Sequence, residues 1–265
     1  QIKKYLNKIL VFHLRIKVMA NDRAVSLVSH FSEIKRRIIR IAIVVIFSTI
    51  ISFIFYQPIS KFVQKPALEA LTKISPDIPA TLVFLDVFEG WSAIARLSVL
   101  VGFSLAFPYV MFELVMFLKP GLTKSERKYL YSLIPGGTIL FFLGVAFAYY
   151  ILIPPAVHFL FSFGSDIATP TPRIGSYISL MSSLVFWMGM IFQIPIIMFL
   201  LGKAGLLKSK WVSKQRVWNI LLGFILGAII TPTFDPVTQT LAALPAIFLF
   251  EIGLLLVKIT EKKSK

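Results

Sequence analysis

Ile41-Ala42-Ile43-Val44-Val45-Ile46-Phe47-Ser48-Thr49-Ile50-Ile51-Ser52-Phe53-Ile54-Phe55-Tyr56 carries no charge and no proline. Extended back past Arg40 to Ile38, the run is about 19 residues. That is the length a helix rising 1.5 Å per residue needs to cross a hydrocarbon core about 30 Å thick. Working outward from it, similar runs recur at about Ile94–Phe117, Leu130–Phe163 and Tyr177–Leu201, with shorter ones at Val217–Ile230 and Gln239–Val257. Across the 265 residues, 57% are hydrophobic and 15% charged, against about 25% charged in a soluble domain. An ordinary soluble enzyme is excluded, and so is a disordered chain, because 25 Phe, 8 Tyr and 4 Trp are present. The fold class is all-α: a polytopic membrane protein.

The third run, taken as one helix, would be about 50 Å long. Pro154-Pro155 is therefore expected to end the spanning helix near Ile153, because proline cannot donate to the helical ladder. Six transmembrane helices result, at about 38–56, 94–117, 130–153, 177–201, 217–230 and 239–257, the fifth and sixth short. A count of four, with the short pair re-entrant, is the alternative. Residues 1–28 read as a basic amphipathic extension lying on the membrane surface, 29–258 as the membrane domain, and 259–265 as a basic tail. The extension has no continuous apolar stretch and so does not read as a cleavable signal.

The net charge of +16 is sorted by side. Residues 1–40, the loop after the second span, the loop after the fourth and the tail hold 23 Lys and Arg, whereas the alternate loops hold four: Lys61, Lys65, Lys73 and Arg173. Lysine and arginine accumulate in cytoplasmic loops, so both termini are expected in the cytoplasm. The basic charge is then topological and nucleic acid is not implied. With no cysteine there is no disulfide or thiolate site, and His13, His30 and His158 lack metal-ligand spacing. No hydrolase elbow, zincin or phosphate-loop motif is present. The chain reads as no enzyme, with neither cofactor nor metal.

Polar residues inside the runs are costly and call for a role. Arg96 lies near the end of its span and can snorkel to the surface. Glu113 lies about a turn from the cytoplasmic end of the second span and can also reach the interface. Gln193 is deeper. Its amide either repairs a carbonyl freed by Pro195 or faces a groove and bonds a partner helix. Glu251, on the short last helix, is placed to bond a neighbouring helix. Gly223-x-x-x-Gly227 permits close helix approach, a pattern common in membranes.

Four segments resemble the TatC family, in register and in order from about Val28 to Lys258. Ser29-His30-Phe31-Ser32-Glu33-Ile34-Lys35-Arg36-Arg37 is similar to its start. Phe117-Leu118-Lys119-Pro120-Gly121-Leu122-Thr123-Lys124-Ser125-Glu126-Arg127 is similar to its loop between spans two and three. Thr231-Pro232-Thr233-Phe234-Asp235-Pro236-Val237-Thr238-Gln239-Thr240 resembles its outer turn, and Leu249-Phe250-Glu251-Ile252-Gly253 its last helix. The resemblance implies a receptor and core subunit of the twin-arginine translocase, which exports folded proteins using the proton-motive force. It implies binding of twin-arginine signal peptides by Glu33 and Glu126, with Arg37, Phe117 and Pro120 at the same site. It implies partner-helix contacts at Gln193, Glu113, Glu251 and Gln239, with single-span TatA-like and TatB-like proteins as partners and self-association in a larger complex. The membrane would be the cytoplasmic one, or the thylakoid membrane of a plastid.

Three departures stand out: Gln193 where many members carry Glu, Lys35 for the usual Arg, and an outer turn one residue longer than the commonest form. The two carboxylates also have plain structural readings. Thr123-x-x-Glu126 has capping-box spacing, and Glu33 precedes Arg37 by four, the favoured order for a helical ion pair. From another class, a channel or solute carrier using Gln193 and Glu113 along a path is the alternative, and an assembly scaffold is a third possibility.

Overall fold

The computed structural model describes residues 32–118, 124–230 and 236–263, with side chains omitted at 118–130 and 262–263. Among these residues the structure is helical, with a single isolated bridge pairing Val83 with Arg173. Five helical stretches are long and apolar enough to cross a membrane, and Arg216–Ile230 is a shorter apolar helix. The chain divides into two compact units, 1–44 and 45–265.

Helix α1 runs from Ser32 to Ile54. It begins about six residues before the apolar run, so that Glu33 and Arg37 lie on the helix rather than ahead of it. A kink at Phe55 separates it from α2, Tyr56–Ile74, which the apolar pattern does not reveal. Pro66 lies inside α2 and removes the N–H that would have served the carbonyl four residues back, at Phe62. Tyr149 supplies the missing donor: its hydroxyl bonds the Phe62 carbonyl at 2.7 Å, and its ring stacks on Phe62 with centroids 4.4 Å apart. The Tyr177 hydroxyl donates to the next carbonyl, that of Val63, at 2.6 Å. Val63, Pro66, Ala67, Ala70 and Leu71 form the buried face of α2.

Helix α3 spans Glu89–Leu118 and continues through Pro108. Helix α4, Lys124–Phe147, leads through a π-helical turn, Ala148–Leu152, into α5, Ile153–Ser162. The helix expected to end near Ile153 does not end there. Pro154 and Pro155 occupy the first turn of α5, where an N–H is dispensable. The π turn takes up the mismatch, the Ile153 N–H donating five residues back to the Ala148 carbonyl.

Helices α6, Ile174–Ile191, and α7, Ile194–Lys203, are one span broken at Phe192-Gln193, with Pro195 in the first turn of α7. Short α8, Ser209–Lys214, precedes α9, Arg216–Ile230, and α10, Pro236–Lys263. At 28 residues α10 is longer than the short sixth helix expected: Pro245 is absorbed and the basic tail is helical through Lys263. Leu152, Ile153, Ile178, Leu184 and Met188 lie at the centre of the main core. Large apolar side chains such as Trp218, Ile229, Leu244 and Phe248 stay exposed, as expected of surfaces solvated by lipid tails rather than water.

Candidate functional site

In the first turn of α1, Arg37 closes onto Glu33 with Nε at 3.1 Å and Nη2 at 2.6 Å, both on Oε1. The helical register dictates this pair, since residues four apart share a face. The Glu33 side chain keeps 35% of its accessible surface and that of Arg37 17%, so the pair is partly open to water. Phe117, at the end of α3, is half-buried. Pro120 and the side chain of Glu126 lie outside the described residues, as do residues 1–28 and Asp235.

Glu113 departs from its expected reach to the interface. It is 1% exposed, and the Tyr109 hydroxyl one turn back donates to its Oε1 at 2.9 Å. A helix docking from outside would not meet it directly.

Gln193 shows how a break in a span is repaired. Its own N–H turns to the Met190 carbonyl, three residues back, which leaves the Gly189 carbonyl without its usual donor. The side-chain Nε2 donates to Gly189 at 3.3 Å and also to the Gly137 carbonyl of α4 at 3.2 Å. The repaired carbonyl is therefore Gly189, not the one Pro195 frees at Ile191. A Cβ at Gly137 would stand 2.3 Å from the Met111 methyl carbon and 3.2 Å from Gln193 Oε1, so the amide sits in a packed junction of α3, α4 and α6. With 5% of its surface exposed, Gln193 faces no open groove. Among the described residues its Oε1 has no hydrogen-bond partner.

Gln239 and Glu251 serve the α9–α10 pair. Gln239 Nε2 donates to the Phe224 carbonyl at 3.0 Å, and Arg216 reaches Glu251 at 2.8 Å. The glycine pattern of α9 faces this seam. A Cβ at Gly227 would lie 2.7 Å from the Gln239 carbonyl oxygen, and one at Gly223 would lie 3.0 Å from Ile247, so the small residues set the spacing. The four residues assigned to partner contacts are thus not gathered in one place: Glu113 bonds within α3, Gln193 knits α4 to α6, and the other two join α9 to α10.

Sequence reasoning missed Glu89. At the start of α3 its carboxylate accepts from the backbone N–H groups of Leu85 at 2.8 Å and Gly175 at 3.0 Å, and pairs with Arg173 at 3.2 Å. Two strands of loop meet beside it, the Val83 N–H donating to Pro172 and the Ile174 N–H to Val83. The available signal was an acidic residue in the first turn of a helix, where the macrodipole favours it. A second missed tie is Glu261 on α10, which accepts from the Ser209 N–H at 2.8 Å and from the Ser209 hydroxyl, holding the start of α8.

Residues 29–245 match the family described as "Sec-independent protein translocase protein (TatC)". The chain belongs to the TatC family. A Synechocystis relative named Sec-independent protein translocase protein TatC is 34% identical over 243 residues, covering 91% of each chain. A tatC-like protein, ycf43, of Gracilaria tenuistipitata is 31% identical over 89% of this chain and 95% of its own. The solved crystal structure of a twin-arginine translocase receptor TatC superposes with a TM-score of 0.78 at 32% identity, covering 88% of this chain and 99% of that one. The all-helical fold and the family expected from the four segments both hold, and this TatC chain is a multi-span membrane protein.

Proposed function

We propose that this protein is the receptor and core subunit of a twin-arginine translocase in a cytoplasmic or thylakoid membrane. It binds the signal peptides of folded precursors and works with single-span TatA-like and TatB-like partners. Six helices cross the bilayer with both ends cytoplasmic. The 15-residue α9, about 22 Å long, counts as a span where the bilayer thins around it. The charge asymmetry of the loops supports this orientation.

The observation that carries the binding chemistry is the Glu33–Arg37 pair. A partly exposed carboxylate holding a guanidinium at 2.6 Å offers what an incoming arginine needs, and Arg37 holds it in shape until exchanged. Glu126 supplies the second acceptor, since two adjacent arginines need two carboxylates to be satisfied in their planar, forked geometry. Each contact contributes about 1 to 3 kcal/mol as a charge-assisted hydrogen bond. Lys35, Arg36, Arg127 and Lys128 nearby in sequence repel a cationic peptide, so removing either carboxylate weakens attraction and unmasks repulsion together.

The test is peptide affinity in detergent with thermal stability measured alongside. Glu33→Gln and Glu126→Gln should each weaken twin-arginine peptide binding, Glu126→Arg should abolish it, and higher salt should reduce it. Stability lost with affinity intact would make these residues a helix pair and a cap instead.

A further inference from the structure

A groove of about 560 Å³ opens between α2, α3, the α4–π turn segment and α6. Phe62, Leu97, Val101, Phe142, Ala146 and Val185 are among its walls. Two of its three hydroxyls are engaged elsewhere, Ser104 donating to the Leu100 carbonyl and Tyr149 to that of Phe62, and the third belongs to Tyr150, which is largely exposed. Filling the groove with water would take roughly twenty molecules, and walls this poor in available polar groups leave most of them without partners. Left empty, its lining forfeits dispersion contacts. In a membrane the hydrocarbon tail of a lipid is the filler always at hand.

The α2 wall adds a charge signal. Lys61 and Lys65, four apart, are both exposed, and they lie on the same side of Phe62 around the helix, Lys65 at about 60° and Lys61 at about 100°. Among the described residues neither makes an ion pair. Glu69, one turn beyond Lys65, is exposed as well and lies about 10 Å along the helix from Phe62. Two flexible lysines outside any ion pair, on the helix that walls an apolar groove, suit a phosphate joined to an acyl chain. We propose that this groove is a lipid site: one acyl chain of an anionic phospholipid lies against Val101, Phe142 and Ala146, with its phosphate held by Lys61 and Lys65. The inference needs the chain only to span a membrane and does not rest on peptide binding.

Native mass spectrometry of the whole protein, delipidated and then offered phosphatidylglycerol or phosphatidylcholine of matched chains, tests it. One retained lipid is expected, with phosphatidylglycerol favoured about fivefold. Lys61→Gln with Lys65→Gln should erase that preference while leaving the chain bound. Val101→Phe should reduce retention of both lipids, and Ala146→Leu, a smaller filling change, serves if Val101→Phe does not fold. Glycerol phosphate alone should give no adduct, which separates a lipid from a free phosphate. Equal retention in the filled variants, or a preference unchanged without the lysines, would overturn the proposal. So would an Ala146→Cys crosslink to another polypeptide in native membranes, which would assign the groove to a partner helix.

Discussion

Glu33 and Glu89 each hold an arginine, and their surroundings differ. Glu89 is 6% exposed, receives two backbone N–H groups from separate segments, and has its arginine supplied from 84 residues away. Glu33 keeps 35% of its surface and takes its arginine from the next turn of its own helix. The first is over-determined and works as a clasp between loops. The second is a partly buried pair within one helix, its carboxylate side more open to water than its guanidinium side. The difference teaches that an arginine on a carboxylate says nothing by itself about role. The number of groups left unsatisfied when the arginine leaves is what separates a structural clasp from a receiving site.

Breaking the clasp gives the largest expected effect on stability. Glu89→Ala should lower the thermal midpoint by more than Glu33→Gln, Gln193→Leu or Glu251→Gln, because the Leu85 and Gly175 N–H groups lose their acceptor together. Peptide affinity per folded molecule should stay near wild type. Equal stability in Glu89→Ala would erase the contrast. Glu33→Gln should do the reverse: affinity falls about tenfold, roughly 1.4 kcal/mol, with a midpoint within the error of wild type.

Gln193→Leu lies between the two in stability. Losing its bonds to Gly137 and Gly189 should cost about 0.6 to 2 kcal/mol, seen as a lower midpoint with peptide affinity unchanged. The smallest effect belongs to Glu251→Gln, whose pair with Arg216 is exposed on both sides. A change within about 0.5 kcal/mol is expected, and a larger one would show that exposed pairs count for more in this protein than the contrast allows.

What the sequence made legible follows from the same physics. Apolar runs of spanning length are set by hydrocarbon thickness, so the first four spans could be read directly. Helix α2 could not, because Pro66 argues against a helix and the hydroxyls that rescue it come from Tyr149 and Tyr177, distant in the chain. The double proline at 154–155 reads as a helix end, and the structure continues through it because the π turn that absorbs it depends on packing and not on residue type. The Glu33–Arg37 pair was readable from four-residue spacing, whereas Glu89 was not, its partners lying across two loops. Glu113 and Gln193 stand out in the sequence as polar residues within apolar runs. Their inward bonds to Tyr109, Gly137 and Gly189 depend on which face each helix buries, and that only the assembled bundle shows.

The central claim is that carboxylates on this chain receive the paired arginines of a signal peptide. A double-mutant cycle between Glu33→Gln and replacement of the peptide's Arg-Arg by Lys-Lys tests it most directly, with affinity measured at fixed salt for all four combinations. A point charge cannot reproduce the guanidinium fork, so each single change should weaken binding, and the pair together should cost clearly less than the sum of the two. Full additivity, or an affinity untouched by Glu33→Gln, would contradict the account and leave the Glu33–Arg37 pair as an ordinary helical ion pair.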